Sequence, residues 1–285
     1  MTVPALSNAL KGLLTRAGVE NPDGDVREIL CTVLQCSHTA LIMKDEEISP
    51  ALYNKAIEMA GRRAAGEPIQ YVIGSWSFMG RDYTVGKGVL IPRDDTEVVV
   101  GEAIKLMKPI PSPAIVDLCS GSGIIAITLY KGLHNATVYA VEKSDEAYAY
   151  LEQNVLQHNA DIRLIHADLA DCVSDFADNS LDMIVSNPPY IRTDEIPTLQ
   201  SEVQHEPAIA LDGGTDGYDF YQMILRLWSC KLKEGGYIAV EIGEGQFETI
   251  RDLLEENGYS DIQGYPDIQG ITRAVTARRE SHSDD

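Results

Sequence analysis

The sequence has few basic residues. Lysine and arginine together number 23, against 44 aspartates and glutamates, so the net charge at pH 7 is −21. The densest basic clusters are two arginine pairs, at residues 62–63 and 278–279. Proteins that bind duplex DNA neutralise its phosphates with lysine and arginine. The charge therefore argues against a nucleic-acid substrate.

Paired cysteines and long apolar runs are also missing. The five cysteines form no C-x-x-C pattern and their number is odd, which argues against a disulfide framework or a zinc site. No stretch approaches the roughly 18 unbroken apolar residues of a membrane helix, and the first residues lack the pattern of a signal peptide. The six histidines show no metal-ligand spacing. We therefore expect a cytoplasmic protein with no membrane partner and no bound metal.

The periodicity of the apolar residues divides the chain into three parts. Up to residue 66 these residues recur at helical spacing, which predicts a small all-helical domain over residues 1–66. Residues 67–91 alternate and are interrupted by glycines, which predicts a β-hairpin linker. Over residues 92–285, short apolar runs alternate with helical patterns. This alternation predicts an α/β domain with a mostly parallel sheet that is covered on both faces.

Several strands are predicted in the α/β domain, with helices between them, at residues 114–118, 138–142, 163–166, 181–186, 237–242 and 271–277. In a sheet of this kind, ligands bind beyond the carboxyl ends of the strands, where the strand order reverses. The functional residues are therefore expected where these strands end.

A cofactor site is predicted after the first three strands. The first strand ends in a turn whose two glycines allow the backbone to approach a ligand. Glu142 ends the second strand, where a carboxylate can accept both ribose hydroxyls, and Asp168 ends the third, where it can accept from an adenine amino group. Each feature alone has an ordinary structural explanation, but the three together favour a nucleoside pocket. The predicted cofactor residues are Asp117, Cys119, Ser120, Gly121, Ser122, Gly123, Glu142, Asp168, Leu169 and Asn187.

The turn fits the phosphate-binding pattern G-x-G-x-x-G poorly, because isoleucines occupy positions 124 and 125. S-adenosylmethionine carries a sulfonium and an amino acid where a dinucleotide carries a pyrophosphate. The absence of a phosphate cradle therefore favours S-adenosylmethionine as the cofactor.

The fourth strand runs into the tetrapeptide Asn187-Pro188-Pro189-Tyr190, the most specific signal in the chain. Two prolines cannot continue a sheet ladder, so this segment should project rigidly from the strand end. The Asn187 side-chain oxygen and the Pro188 carbonyl can accept the two hydrogens of a planar amide, and Tyr190 can stack on it. Placement and polarisation of this kind activate a weak nucleophile without a metal. Asn187, Pro188 and Tyr190 are therefore the predicted catalytic residues, and all four residues should contact the substrate.

These motifs and several others resemble those of the bacterial release-factor glutamine methyltransferases, which modify the glutamine amide of the Gly-Gly-Gln loop of peptide chain release factors. The resemblance covers most of the chain. The matching segments are 66–74 (GEPIQYVIG), 90–93 (LIPR) with Thr96-Glu97, 187–191 (NPPYI), Glu202-Val203, Glu206-Pro207, Ala210-Leu211, Gly213-Gly214, Asp216-Gly217, and Glu241-Ile242-Gly243 with Gln246.

The resemblance implies a class I methyltransferase: a Rossmann-like, seven-stranded, mostly parallel sheet preceded by the helical domain and the hairpin linker. It implies S-adenosyl-L-methionine as cofactor, S-adenosyl-L-homocysteine as product and release factors as protein partners. It also implies that the helical domain helps to dock the substrate. Three residues depart from the family pattern. Cys119 stands where glycine is usual, Asp94 where proline is usual, and Ser77 where an acidic residue is common.

Other functions are compatible with part of this pattern. The tetrapeptide alone is shared with adenine-N6 and cytosine-N4 DNA methyltransferases, but the acidic charge and the lack of a target-recognition segment oppose a nucleic-acid substrate. A glutamine on a ribosomal protein is an alternative acceptor. A non-catalytic scaffold is opposed by the intact tetrapeptide.

Overall fold

A computed structural model describes residues 1–280. The chain divides into two units, of which the first comprises residues 1–75, 85–87 and 200–205 and the second the remainder. Helices form the first unit: α1 (Val3–Arg16), α2 (Pro22–Leu34), α3 (His38–Ile42), α4 (Pro50–Ala64) and α5 (Ile69–Ile73).

The helices of the first unit pack through the apolar stripes that their sequences contain. Leu6, Leu10 and Leu14 lie one turn apart on α1 and are fully buried, because residues four apart share one face of a helix. They pack in a cluster with residues of α2, α4 and α5. The start of α2 is capped by Asn21, whose side chain accepts from Gly24 N at 3.1 Å, and Pro22 suits the first helical position.

A buried ion pair links three segments of this unit. Arg63 near the end of α4 is 5% exposed, and its Nε donates to Asp25 Oδ2 on α2 at 2.5 Å. The same guanidinium donates to the Glu202 carboxylate. Because a guanidinium has five N–H donors, it can satisfy both carboxylates at once.

The second unit begins with a short hairpin and continues as alternating strands and helices. Its elements are β1 (Ser75–Phe78), β2 (Arg81–Thr84), α6 (Thr96–Met107), β3 (Ala114–Leu118), α7 (Ile124–Gly132), β4 (Thr137–Glu142), α8 (Asp145–Gln157), β5 (Arg163–His166), β6 (Leu181–Ser186), α9 (Asp219–Trp228), β7 (Leu232–Glu241), α10 (Phe247–Glu256), β8 (Tyr259–Pro266) and β9 (Thr272–Arg279).

Seven of these strands form one sheet in the order β5-β4-β3-β6-β7-β9-β8, in which β9 runs antiparallel to its neighbours β7 and β8 and the other pairings are parallel. All six residues of β6 are buried, as expected for a central parallel strand with helices on both faces. The order reverses at β3, because β4 and β5 lie on one side of it and β6 and β7 on the other. The carboxyl ends of β3, β4 and β6 therefore meet at the switch point. The predicted fold class is confirmed.

The segment predicted as a β-hairpin linker over residues 67–91 has a mixed structure. Its first part is the helix α5, and the hairpin occupies only residues 75–84. Two hairpin residues, Phe78 and Tyr83, belong to the core of the second unit, where the Tyr83 hydroxyl lies 3.0 Å from Thr128 Oγ1. The hairpin therefore contributes to the core of the α/β unit.

The helices described between residues 1 and 280 include none with the length and apolarity required to cross a membrane.

Removing the buried arginine should destabilise the first unit. Arg63→Ala leaves Asp25 buried without its partner, and breaking a buried pair in this way costs about 3–5 kcal/mol. Lys11 pairs with Asp23 at 2.7 Å in the same unit, where the two side chains are 48% and 70% exposed, so Lys11→Ala is the control. Such surface pairs are worth about 0–1 kcal/mol. Urea unfolding of both variants measures the difference, and equal losses would contradict the role of Arg63.

Candidate active site

A cavity lies beyond the carboxyl ends of β3, β4 and β6, within the second unit. Its wall is formed by the turn after β3, by the residues that end or follow β4, β5 and β6, by the segment before α6, and by apolar residues around α9. The lining residues include 119–122, 141–144, 167–169, Asn187 and Pro189, together with 88–93, Thr96, Pro207, Ile209, Ala210, Phe220 and Met223.

The turn after β3 leaves open space where a cofactor would lie. A Cβ placed on Gly121 would come within 4 Å of the Val89 side chain alone, so this glycine faces the cavity. Cys119 adopts a φ of 60°, a left-handed conformation that is strained for residues other than glycine. This backbone geometry explains why glycine is usual at the position of Cys119.

Two carboxylates hold fixed positions on the cavity wall. Glu142 is 9% exposed, and its oxygens accept from Gly121 N at 2.8 Å and from Ser144 N at 2.7 Å. Each oxygen keeps a second lone pair for a ligand. Asp168 accepts from Lys143 Nζ at 2.8 Å and from Ala170 N at 2.9 Å. Burial acts to raise the pKa of Asp168, but these donors outweigh it and the pKa is lowered.

Asp117 occupies a different place from the one that was predicted for it. It is fully buried and is absent from the cavity wall; its Oδ2 accepts from Ala126 N of α7 at 3.1 Å. Its Oδ1 has no hydrogen-bond partner among the described residues. Burial raises the pKa of this carboxyl to about 8. In the structure Asp117 therefore braces the first turn of α7 against β3.

The tetrapeptide leaves the sheet at the end of β6, as its prolines require. Asn187 and Pro189 line the cavity, whereas Pro188 and Tyr190 are absent from its wall. The Asn187 Nδ2 donates to Thr96 Oγ1 at 3.2 Å. The Tyr190 hydroxyl donates to Glu241 at 3.2 Å. Tyr190 therefore lies behind the wall with its hydroxyl directed at a buried carboxylate.

The backbone after the prolines is braced by a loop and by one side chain. Ile191 N donates to Leu211 O at 2.9 Å, and Gly213 N donates to Ile191 O at 2.8 Å. A Cβ on Gly213 would lie 2.7 Å from Tyr190 Cα, so only glycine permits this approach. Gln246 Nε2 donates to Tyr190 O at 3.1 Å. These contacts assign a structural task to the glycine and glutamine motifs downstream of the tetrapeptide.

Several wall residues were not among the predicted site residues. The segment before α6 lies in the wall and is fixed by Glu206, which is 6% exposed and accepts from Ile91 N at 2.9 Å and from Arg93. The segment at 90–93 and Glu206 both belong to motifs that resemble the family pattern. The apolar residues Phe220 and Met223 carried no sequence signal. Two of the three departures from the family pattern, Ser77 and Asp94, are exposed.

Two family models match the chain: PrmC N-terminal domain over residues 5–74, and Methyltransferase small domain over residues 103–211. The chain is 37% identical over 279 residues to a release factor glutamine methyltransferase of Geobacter sulfurreducens, covering 97% of this chain and 96% of that protein. A second, from Moorella thermoacetica, is also 37% identical, covering 96% and 97%.

Among solved structures, the chain is similar to an rRNA methyltransferase of T. thermophilus in complex with AdoMet and guanosine. The TM-score is 0.52 at 17% identity, covering 72% of this chain and 50% of that chain. At this level of identity the likeness concerns the fold alone.

Replacing Cys119 with glycine should relieve strain in the turn. A left-handed conformation costs a non-glycine residue roughly 1–2 kcal/mol, and glycine loses about 0.4–1 kcal/mol through the entropy of the unfolded chain. We expect Cys119→Gly to be equally stable or more stable by up to about 1 kcal/mol. Cys119→Ala, which keeps the strain and loses the thiol, is the control. Thermal unfolding that ranks Cys119→Gly below Cys119→Ala would contradict this account.

The buried Asp117 should make stability depend on pH. The unfolded chain titrates an aspartate near pH 3.9 and the folded chain near pH 8, so the folded state binds more protons between these values. Stability from this group is complete below the lower value and is lost as pH rises through the upper one. Asp117→Asn should therefore become progressively more stable than the wild type as pH rises from about 4 to 8.

The measurement is the free energy of unfolding without cofactor at several pH values. Asp161→Asn, which changes an exposed aspartate, is the control and should follow the wild type. A constant difference between Asp117→Asn and the wild type across this interval would refute the assignment.

Proposed function

Because the chain belongs to the release factor glutamine methyltransferase family, we propose that it methylates a release factor. The acceptor is the side-chain amide nitrogen, N5, of the glutamine in the Gly-Gly-Gln loop, and the donor is S-adenosyl-L-methionine, which leaves as S-adenosyl-L-homocysteine. The chain is an enzyme with a methyltransferase domain. The observation that carries the proposal is the geometry of Asn187, which lines the cavity while its carboxamide nitrogen is engaged by Thr96 Oγ1.

The residues of the cavity fit this cofactor. The open face of Gly121 leaves room for an amino acid chain, and no phosphate cradle is needed. Glu142, held by two backbone amides, would accept the ribose hydroxyls through its remaining lone pairs. Asp168 with Leu169 would hold the adenine. Bound S-adenosylmethionine would supply a methyl group already activated by the positive sulfonium.

The role of the tetrapeptide is to orient a poor nucleophile. The lone pair of an amide nitrogen is delocalised into its carbonyl group, so the enzyme must hold the nitrogen out of its preferred geometry. The Asn187 Oδ1, on the cavity wall, would accept one amide hydrogen, and the carbonyl of Pro188, which lies between the wall residues Asn187 and Pro189, would accept the other, so that the lone pair is directed into the cavity. Preorganised acceptors of this kind require no rearrangement during the reaction.

The helical unit supports a protein substrate. We propose that residues 1–66 form a docking domain, residues 67–91 a linker and residues 92–285 the methyltransferase domain. Ile42 and Met43, at the end of α3, are 82% and 84% exposed, and large exposed apolar side chains favour protein contacts. A specific protein contact buries roughly 1,200–2,000 Å², more than one glutamine side chain can provide, so a second surface is required.

The decisive test is to locate the methyl group. The full chain is incubated with labelled S-adenosylmethionine and, separately, with purified release factor, total ribosomal protein and bare DNA. We expect label on the release factor, at the glutamine of the Gly-Gly-Gln peptide, and none on a release factor in which that glutamine is replaced by glutamate. Label on ribosomal protein or DNA, with none on the release factor, refutes the proposal and selects one of the alternatives.

Two variants should separate acceptor placement from cofactor binding. Asn187→Ala removes a preorganised acceptor and should lower the single-turnover rate by about 10²–10³, while the Kd for cofactor stays nearly constant. Glu142→Ala should weaken cofactor binding, because hydrogen bonds to a charged acceptor are worth about 1.5–3 kcal/mol. Calorimetry and single-turnover kinetics measure both. Near-normal turnover in Asn187→Ala excludes its role, and unchanged affinity in Glu142→Ala excludes the ribose contact.

A further inference from the structure

Glu241 at the end of β7 is a buried carboxylate beside the acceptor tetrapeptide. It is 1% exposed, and its two oxygens accept from two hydroxyls. Thr96 donates to Oε2 at 2.6 Å and Tyr190 donates to Oε1 at 3.2 Å. The Tyr221 hydroxyl donates to its backbone carbonyl at 2.7 Å. Three hydroxyl groups therefore fix the position of this carboxylate and of its backbone.

The hydrogen-bond directions in this cluster are determined by the carboxylate. An ionised carboxylate only accepts, so the hydroxyl hydrogens of Thr96 and Tyr190 both point at Glu241. Thr96 has a single hydrogen and has committed it, so its oxygen can only accept from its other neighbour. That neighbour is Asn187, whose Nδ2 lies 3.2 Å from Thr96 Oγ1.

The orientation of the Asn187 side chain follows. Its nitrogen and oxygen are on opposite arms of the carboxamide, and the nitrogen arm must face Thr96. We propose that Glu241, acting through Thr96, is a positioning residue that compels Asn187 to present its oxygen rather than its NH₂ group to the acceptor amide. This inference rests on the proposed function, because it assumes that the acceptor is an NH₂ group.

The reversed orientation would be unproductive. A flipped Asn187 would present two hydrogen-bond donors to an acceptor amide that itself has two hydrogens to donate, so neither partner would be satisfied. Because Glu241 also binds the Tyr190 hydroxyl, one buried group sets the hydrogen bonding at both ends of the tetrapeptide.

The device should respond to pH. Burial raises the pKa of Glu241 to about 7, and the negative charge of Asp95 acts in the same direction. The hydrogen bonds from Thr96 and Tyr190 and the positive charge of Arg273 lower this pKa but do not outweigh burial. Arg273 lies 3.2 Å from both Asp95 and Asp267, so its charge is shared with two carboxylates. Above pH 7 the ionised Glu241 accepts from both hydroxyls. Below it, the protonated carboxyl can donate to Thr96 and the constraint on Asn187 is lost.

Three variants test the inference in the full-length protein. Glu241→Gln has nearly the same shape but cannot ionise, and it can accept from only one of the two hydroxyls. Thr96→Val removes the hydroxyl with little change of shape, and Thr96→Ser keeps it. Glu234→Gln, an exposed glutamate on the same strand β7, is the matched control.

The first readout is the single-turnover rate of methyl transfer as a function of pH. The rate of the wild type and of Glu234→Gln should fall as pH falls through about 7. Glu241→Gln should be slower than the wild type at high pH, and its rate should not fall near pH 7. Thr96→Val should be about 10–10² times slower at high pH with unchanged cofactor Kd, and Thr96→Ser should restore most of the rate. The inference is overturned if Glu241→Gln keeps the wild-type rate and its fall near pH 7, or if Thr96→Val is as fast as the wild type at high pH.

The second readout does not depend on activity. The NH₂ resonances of the Asn187 side chain, assigned by their loss in Asn187→Asp, should change in chemical shift as pH falls through about 7. In Glu241→Gln their chemical shifts should show no step near pH 7, and the same step in both proteins overturns the inference. If the wild type transfers no methyl group to a release factor, the proposed function fails while these resonances still decide the hydrogen-bond direction. If Glu241→Gln does not fold, Thr96→Val against Thr96→Ser decides.

Discussion

A strand that runs into two prolines must leave its sheet, because neither proline can donate a ladder hydrogen bond. This constraint at the end of β6 shapes the surroundings of the cavity. Residues 187–190 lose the support of the sheet and must be held by other segments. The loop at 211–213 pairs with Ile191, and Gln246 binds the Tyr190 carbonyl. Thr96 and Glu241 hold the two polar side chains of the tetrapeptide. The conformation of this segment therefore depends both on its own prolines and on hydrogen bonds from residues that are distant in the chain.

Two buried carboxylates next to the cavity, Glu142 and Glu241, accept their side-chain hydrogen bonds from neutral donors. Glu142 accepts from two backbone amides, and Glu241 accepts from two hydroxyls. Glu206 combines the Ile91 amide with Arg93. Hydrogen bonds to a charged group are stronger than those between neutral groups, so such donors offset part of the cost of burial.

The fold was predictable because its signals are repeated along the chain. The run at 181–186 is apolar at four of its six positions, which indicates a central strand, and the four-residue spacing in α1 indicates its buried stripe. The strand β8 was missed because only Tyr259 among its eight residues is buried. An exposed strand at the edge of a sheet has no apolar pattern to detect. The short helix α5 has no detectable pattern, because five residues make fewer than two helical turns.

The sequence suggests site residues where these are neighbours in the chain and gives no signal where they are far apart. The turn after β3 and the tetrapeptide are contiguous segments, and their residue types alone indicate a ligand and an acceptor. Asp117 has the right residue type, but the face on which a strand-end side chain emerges depends on packing, and α7 uses it. Thr96 and Glu241 are 145 residues apart, and Thr96 and Asn187 are 91 apart. Only the folded sheet brings the start of α6 and the ends of β6 and β7 together. The proposed roles of Thr96 and Glu241 depend on the directions of the hydrogen bonds between them. A motif therefore identifies which atoms can take part in the chemistry, whereas the direction in which Asn187 presents those atoms is a property of the tertiary structure.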